Sequence, residues 1–201
     1  VKIAHMKNIV DNPDARKLQK SPVPVLGGVA VFFGIVLGLT LTSTYTNCSS
    51  LITIIAALMI MLYVGTMDDI VNLSARIRFI IEIGVVLLLI YSTDRSINDL
   101  HGLWGVGSFC NGISIPLTVF AAVGIINALN LIDGVNGLSS GYSIMASFVF
   151  GVYFYLAENA PMLILASVSI GALIPFFLHN VIGRTSKMFI GDGGTLVMGV
   201  V

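Results

Sequence analysis

The sequence predicts an all-α integral membrane protein, a polytopic helical bundle with about seven transmembrane helices. Composition is the first observation: 56% of the 201 residues are hydrophobic and only 10% are charged, whereas soluble domains carry about 25% charged residues. The second is that the apolar residues form runs near the roughly 20 residues that a membrane-spanning helix needs. These runs are too long, and alternate too little, for a closed β-barrel.

Six apolar runs in chain order are long enough to cross a bilayer, and a seventh begins near Thr195. The six are 25–42, 51–67, 76–92, 113–130, 139–157 and 161–182. The connections are short and contain no repeat or interdomain linker, so we expect a single transmembrane domain over residues 1–201. Val1 is not an initiator and Val201 ends inside an apolar run. We therefore expect this domain to be truncated at both ends.

Basic residues indicate how the bundle is oriented. If the runs alternate in direction, loops 1–24, 68–75, 131–138 and 183–194 lie on one side of the membrane. Nine of the ten basic residues fall in or next to these loops: Lys2, Lys7, Arg16, Lys17, Lys20, Arg76, Arg78, Arg184 and Lys187. Only Arg95 falls on the other side. The positive-inside rule makes the first side cytoplasmic. The balance of ten acidic and ten basic residues gives no general attraction to nucleic acid.

The segment GTMDDIVNLSARIR, residues 65–78, carries the adjacent pair Asp68 and Asp69 at the end of the second run. Carboxylates together with substrate phosphate oxygens are ligands that Mg²⁺ prefers, which favours a cation site. The alternative is a solvated loop in which Asp69 caps the next helix.

The segment NALNLIDGVNGL, residues 127–138, interrupts apolar sequence with amides and a carboxylate. Asn130, Asp133 and Asn136 recur every three residues, so they would share one face of a helix. Asn127 and Asn130 lie in an apolar helix end, where an unpaired amide is costly. A turn rich in Asn and Gly is the alternative, but the buried amides favour a functional site.

Two further segments on the same side suit anionic ligands. In KMFIGDGGTLVMG, residues 187–199, Asp192 and two glycines precede a predicted helix, whose free N–H groups would attract phosphate or carboxylate. Asp192 could equally cap that helix. In DNPDARKLQKSPVPVLGG, residues 11–28, the basic residues Arg16, Lys17 and Lys20 form either a phosphate clamp or an ordinary positive flank.

Several other residues carry weaker signals. Glu82 lies one helical turn after Arg78, which favours an internal ion pair. His179 beside Asn180 ends a run on the cytoplasmic side and could line the site. Cys48 and Cys110 fall in outer loops, and the sequence leaves their pairing open.

Taken in order, DNPDARK, PVPVLGG, the Asp68–Asp69 pair, NALNLIDGVNGL and Asn180 followed by KMFIGDGGT resemble one family. It is the polyprenyl-phosphate N-acetylhexosamine-1-phosphate transferases of glycosyltransferase family 4, which includes phospho-MurNAc-pentapeptide translocase. PVPVLGG and NALNLIDG look closer to the branch that uses UDP-N-acetylglucosamine-type sugars. Two positions depart from the family pattern: Asn136 replaces a common aspartate, and Gln19 replaces a frequent histidine. The family's His-rich cytoplasmic loop is also absent from this sequence.

The resemblance implies a bacterial inner-membrane enzyme that moves an N-acetylhexosamine-1-phosphate from a UDP-sugar to undecaprenyl phosphate, releases UMP and initiates cell-envelope polysaccharide synthesis. It implies Mg²⁺ as cofactor, with Mn²⁺ as an alternative, an active site on the cytoplasmic face, and no nucleic-acid partner; a homodimer stays open. The implied catalytic residues are Asp68, Asp69 and Asp133, the metal ligands are Asp192 and Asp133, and the substrate-binding residues are Lys20, Asn127, Asn130, Asn136, Asn180 and Lys187.

Other classes fit the sequence less well. A transporter with a cytoplasmic cation site would usually show repeats and ionisable groups near the middle of its spans, where this chain has almost none. The CDP-alcohol phosphotransferases are disfavoured, because their spaced D-G-x-x-A-R motif with trailing aspartates is missing. An inactive, truncated family member is a third alternative.

Overall fold

The computed structural model describes residues 10–11, 23–42, 51–183 and 188–201. Within these ranges the protein has seven α-helices and one minimal strand pair, β1 (Val10–Asp11) with β2 (Val23–Pro24), which is antiparallel. The helices are α1 (Gly27–Thr42), α2 (Ile52–Val71), α3 (Ala75–Thr93), α4 (Asn111–Leu131), α5 (Leu138–Leu156), α6 (Ala160–Ile182) and α7 (Gly191–Val200). The predicted helical architecture is confirmed.

Among the described residues, three segments are long and apolar enough to cross a membrane: Ile52–Val71, Asn111–Gly134 and Ala160–Ile182. The helix Gly27–Thr42 is apolar but shorter. Large apolar side chains also point away from the bundle, with Phe120 80% and Leu131 81% exposed. Such a surface is unfavourable in water and is what a lipid-facing surface requires. About seven spans were predicted, and for the other helices a membrane-spanning position stays a prediction.

Two predicted boundaries were wrong. The second helix does not end at residue 67 but continues to Val71, and Asn72 then ends it in the left-handed region (φ 53°). Asp69 therefore lies in the last turn of α2 and does not cap α3, where Ser74 holds the N-cap position. The carboxylates tolerate this helical position because the folded protein supplies donors for them, as described below.

The last helix begins at Gly191, about one turn before the predicted start near Thr195. α7 is the central helix of the bundle and packs against α1, α2 and α4. The close packing around its first turn depends on glycines. A Cβ atom at Gly28 would overlap the backbone of Gly194, and one at Gly65 would overlap the backbone of Gly193. The first turn of α7 can therefore lie directly against its neighbours only because these positions lack side chains.

Backbone hydrogen bonds join the entrance of α1 to the segment before α7. Gly27 N donates to Phe189 O (3.1 Å), Gly28 N to Ile190 O (2.6 Å) and Phe189 N to Pro24 O (2.9 Å). The PVPVLGG and KMFIGDGG segments, far apart in sequence, thus pair along their backbones. Their pairing holds the start of α1 next to the start of α7.

Candidate functional site

Four aspartates from three separate segments meet at one end of the bundle. Asp68 and Asp69 end α2, Asp133 lies in the 3-10 turn after α4, and Asp192 lies in the first turn of α7. Asp192 N donates to Asp69 Oδ1 (3.3 Å) and Gly191 N donates to Asp133 Oδ2 (3.3 Å). We call this region, defined by the four aspartates, the polar end. The N–H groups of the first α7 turn, predicted to attract anions, are here bonded to two carboxylates.

Asn130 connects the last turn of α4 to the first turn of α7. Its Nδ2 atom donates to Asp192 Oδ1 (2.6 Å) and to Thr195 Oγ1 (3.1 Å). The amide therefore orients the Asp192 carboxylate.

Asp133 is held by donors on two elements. Ser139 Oγ donates to Asp133 Oδ1 (2.6 Å), while Gly191 N reaches Oδ2. Ser139 is buried at the start of α5. Both carboxylate oxygens of Asp133 thus have a protein donor, which fixes the start of α5 relative to the start of α7.

Arg78 belongs to the polar end, although the sequence indicated for it only an ion pair with Glu82. Its predicted ion pair with Glu82 is confirmed, with Nε 3.5 Å from Oε1. In addition, its Nη1 atom lies 2.9 Å from Asp68 Oδ2 and 3.6 Å from Asp192 Oδ2. Asp68 Oδ1 accepts from Leu73 N (2.7 Å). The only available signal was a basic residue one turn into the helix that follows the acidic pair.

Asn127, on α4, contacts both Arg78 and Glu82. Its Nδ2 atom donates to Glu82 Oε2 (2.5 Å) and to Val123 O (2.9 Å), while its Oδ1 atom accepts from Arg78 Nη2 (3.4 Å). Substrate binding by Asn127 stays a prediction, since these protein groups occupy its amide in the structure.

Two other predicted residues, in the described part of the chain, form no hydrogen bond with the four aspartates. Asn180 is only 3% exposed; its Oδ1 accepts from Gly137 N (2.6 Å) and its Nδ2 donates to Met188 O (2.7 Å). This side chain ties the turn before α5 to the segment before α7. Asn136 is exposed and follows the 3-10 turn. It therefore does not continue a helical face with Asn130, as the spacing had predicted, because α4 ends at Leu131.

Some predicted residues lie outside the described part of the chain. These are Lys20 and Lys187, together with Arg16, Lys17, Gln19 and Cys48. Cys110 is described and is exposed just before α4.

Comparison with known proteins decides the family. Residues 51–201, most of the chain, match the family model described as glycosyl transferase family 4. The chain belongs to glycosyl transferase family 4. Three segments that carried the resemblance, the Asp68–Asp69 pair, NALNLIDGVNGL and KMFIGDGGT, lie inside the matched range. The predicted family is confirmed.

Individual relatives match this chain over nearly its full length. It is 33% identical over 199 residues to a probable undecaprenyl-phosphate N-acetylglucosaminyl 1-phosphate transferase of Bacillus subtilis (strain 168), with 98% of the chain and 54% of that protein covered. It is 28% identical over 201 residues to the undecaprenyl-phosphate alpha-N-acetylglucosaminyl 1-phosphate transferase of Escherichia coli (strain K12), with the same coverage. The chain spans about half the length of the curated relatives it matches.

The carboxylates of the polar end are ligands that suit a hard cation such as Mg²⁺. Among the described side chains, no three His, Cys, Asp or Glu residues form a ready-made metal cage. Mg²⁺ does not require one, because it is usually held by one or two carboxylates, waters and substrate phosphates. Asp192 is the most accessible of the carboxylates paired with Arg78, at 33% exposed against 11% for Asp68 and 0% for Glu82.

Proposed function

We propose that this protein is a multi-pass enzyme of the bacterial plasma membrane. It transfers an N-acetylhexosamine-1-phosphate from a UDP-sugar to undecaprenyl phosphate and releases UMP. The observation that carries the proposal is the polar end itself, where four aspartates and Arg78 converge on an otherwise apolar bundle. The family membership and the names of the relatives support the same reaction.

The proposed position of the polar end would give both substrates access. With about seven spans, the polar end lies at the cytoplasmic face, as the distribution of basic residues indicates. A lipid phosphate would approach from the bilayer and a nucleotide from the cytosol. A site where the ends of α2, α4 and α7 meet is accessible to both, so residues 1–201 would contribute to one membrane catalytic domain.

In the proposed reaction, an oxygen of undecaprenyl phosphate attacks the phosphorus atom that bears the sugar. A new P–O bond forms, the bond from that phosphorus to the bridging oxygen breaks, and UMP leaves. A phosphate monoester has a second pKa of about 6, so the nucleophile is largely ionised at neutral pH. Positioning should therefore contribute more than proton removal. Asp68 and Asp69 would orient the lipid phosphate, and Asn130 would hold Asp192 in place.

Charge explains why a cation is part of the proposal. Four aspartates near one arginine would repel two anionic substrates unless positive charge is added. Asp192, together with Asp133, would hold Mg²⁺, with Mn²⁺ as an alternative. When bound, the ion would neutralise charge on the diphosphate. Contacts of Lys20, Asn136 and Lys187 with the nucleotide remain part of the proposal.

The test uses the full-length protein in detergent or nanodiscs, with undecaprenyl phosphate, a panel of UDP-sugars, and Mg²⁺ or EDTA. We expect UMP release that requires Mg²⁺ and falls at least about 100-fold in Asp192→Asn. Asp94→Asn is the matched control, because Asp94 is exposed at the left-handed end of α3 (φ 52°), a conformation that asparagine tolerates. Normal Mg²⁺-dependent activity in Asp192→Asn would exclude the metal assignment.

Two alternatives have distinct outcomes in the same experiment. A transporter would bind or move an ion without releasing UMP from any UDP-sugar. A covalent route through an aspartate would leave a sugar-phosphate adduct on the protein when undecaprenyl phosphate is omitted, detectable by intact mass spectrometry. Direct attack predicts no such adduct.

A further inference from the structure

A fully buried carboxylate lies below the polar end and has no place in the reaction proposed above. Glu82, in the second turn of α3, is 0% exposed. Its Oε2 atom accepts from Asn127 Nδ2, and its Oε1 atom lies 3.5 Å from Arg78 Nε with no hydrogen-bond partner among the described residues. Burying a carboxylate is costly unless it is paired and hydrogen-bonded. A purely structural position between α3 and α4 would be filled at lower cost by an apolar side chain.

Glu82 belongs to a closed ring of three side chains. Arg78 contacts Glu82 through Nε, Asn127 donates to Glu82, and Arg78 Nη2 donates to Asn127 Oδ1 (3.4 Å). The ring is attached to α4, since Asn127 also donates to Val123 O (2.9 Å). Each member therefore restricts the other two.

The free edge of the ring faces the polar end. The guanidinium of Arg78 is a rigid planar fork, so fixing its Nε edge also fixes the direction of Nη1. Nη1 is the atom that lies between Asp68 Oδ2 (2.9 Å) and Asp192 Oδ2 (3.6 Å). Glu82 therefore contacts, on the Nε side, the same guanidinium whose Nη1 atom approaches the two aspartates.

We propose that Glu82 is a positioning residue, which holds Arg78 so that its Nη1 edge keeps Asp68 and Asp192 at a set separation. The kinetic consequence rests on the proposed transferase function, whereas the coupling between Glu82 and Arg78 does not. Asn127 shares this role by closing the ring on α4.

The central variant is Glu82→Gln, which keeps size and shape but removes the charge opposite Arg78. We expect kcat and kcat/KM for UMP release to fall together by about 10- to 100-fold, as for other residues that orient catalytic groups. Val86→Ala is the matched control: Val86 is buried one turn further along α3 and lies outside the ring. It should lower thermal stability as much as Glu82→Gln or more, with kcat unchanged within about twofold.

A double-mutant cycle separates positioning from packing. If Glu82 acts through Arg78, then Glu82→Gln should change kcat by less than about threefold in an Arg78→Lys background, because lysine lacks the fixed fork. An unchanged kcat in Glu82→Gln would overturn the inference. So would the same loss in both backgrounds, or an equal loss of kcat in Val86→Ala.

The design also distinguishes this inference from the proposed function. If the wild-type protein releases no UMP with any UDP-sugar, the proposed function fails. The contact is then tested by the same cycle with thermal unfolding midpoints in place of kcat. Non-additive midpoint shifts of Glu82→Gln and Arg78→Lys would support the positioning contact, and additive shifts would overturn it.

Discussion

Replacing Gly65 with alanine should separate α2 from α7 and thereby disturb the polar end. A Cβ atom at Gly65 would overlap Gly193 and would lie 2.6 Å from the carbonyl carbon of Asp192. Ordinary contacts of a Cβ atom begin at 3.4 Å. Because the obstructing atoms are backbone, no side chain can rotate away. The two helices would have to move apart by roughly 1 Å, a displacement that can lower catalysis about 100-fold.

The magnitude has two parts. Overpacking of this kind typically costs about 1–3 kcal/mol of stability. The same shift would lengthen the bond from Asp192 N to Asp69 Oδ1, which is already 3.3 Å. Since bonds beyond about 3.5 Å contribute little, we expect this contact to be lost and kcat to fall by about two orders of magnitude.

UMP release and thermal unfolding of the purified full-length protein measure the two effects. Gly84→Ala is the matched control, because Gly84 lies inside α3 with nothing within 4 Å of an added Cβ. Alanine should stabilise a helix there by about 0.5–1 kcal/mol relative to glycine. The reasoning is refuted if Gly65→Ala and Gly84→Ala behave alike in both measurements.

Two further predictions concern residues around the polar end. Asn180→Ala removes the link between Gly137 N and Met188 O; leaving buried groups unpaired should destabilise the protein by about 1–3 kcal/mol, seen as a lower unfolding midpoint. Ser139→Ala removes the donor to Asp133 Oδ1. It should cost about 0.5–1.5 kcal/mol of stability and lower kcat, measured by UMP release, because Asp133 is no longer held on both oxygens. The control for Asn180→Ala is Asn136→Ala, at an exposed position. The control for Ser139→Ala is Ser140→Ala, because buried Ser140 Oγ has no hydrogen-bond partner among the described residues. Equal effects in a variant and its control would contradict the corresponding prediction.

The helical architecture was predictable because hydropathy alone identifies segments that need an apolar environment. In the described part of the chain, the centres of the seven helices coincide with the predicted runs; for example, the run 161–182 lies within α6. The two wrong boundaries, at Val71 and Gly191, fall where polar residues continue a helix. Sequence reasoning ended the helices there because isolated carboxylates are unfavourable in apolar surroundings. The sequence does not show which backbone N–H groups will donate hydrogen bonds to these carboxylates in the folded protein.

For the candidate site, the sequence predicted which loops lie on the same side of the membrane. Asp69, Asp133 and Asp192 were expected on one side, and hydrogen bonds in the structure connect Asp69 and Asp133 to the first turn of α7, which contains Asp192. The role of Arg78 was not predictable in the same way. Its partner Glu82 follows from the i,i+4 spacing, but its contacts with Asp68 and Asp192 depend on how α2, α3 and α7 pack together.

By itself the sequence determined that this chain is a helical membrane protein, that Asp68, Asp69, Asp133 and Asp192 fall on one predicted side of the membrane, and that it resembles family 4. These properties depend on composition, run length and local motifs, which need no tertiary information. Tertiary structure alone decided that Asn127 closes a ring with Arg78 and Glu82, and that Asn180 links the turn before α5 to the segment before α7. The physical reason is that α4 and its neighbours are apolar on nearly every side, so hydrophobic periodicity does not reveal which face packs inward. Close glycine contacts between the helices set that rotation, and with it which polar side chains meet.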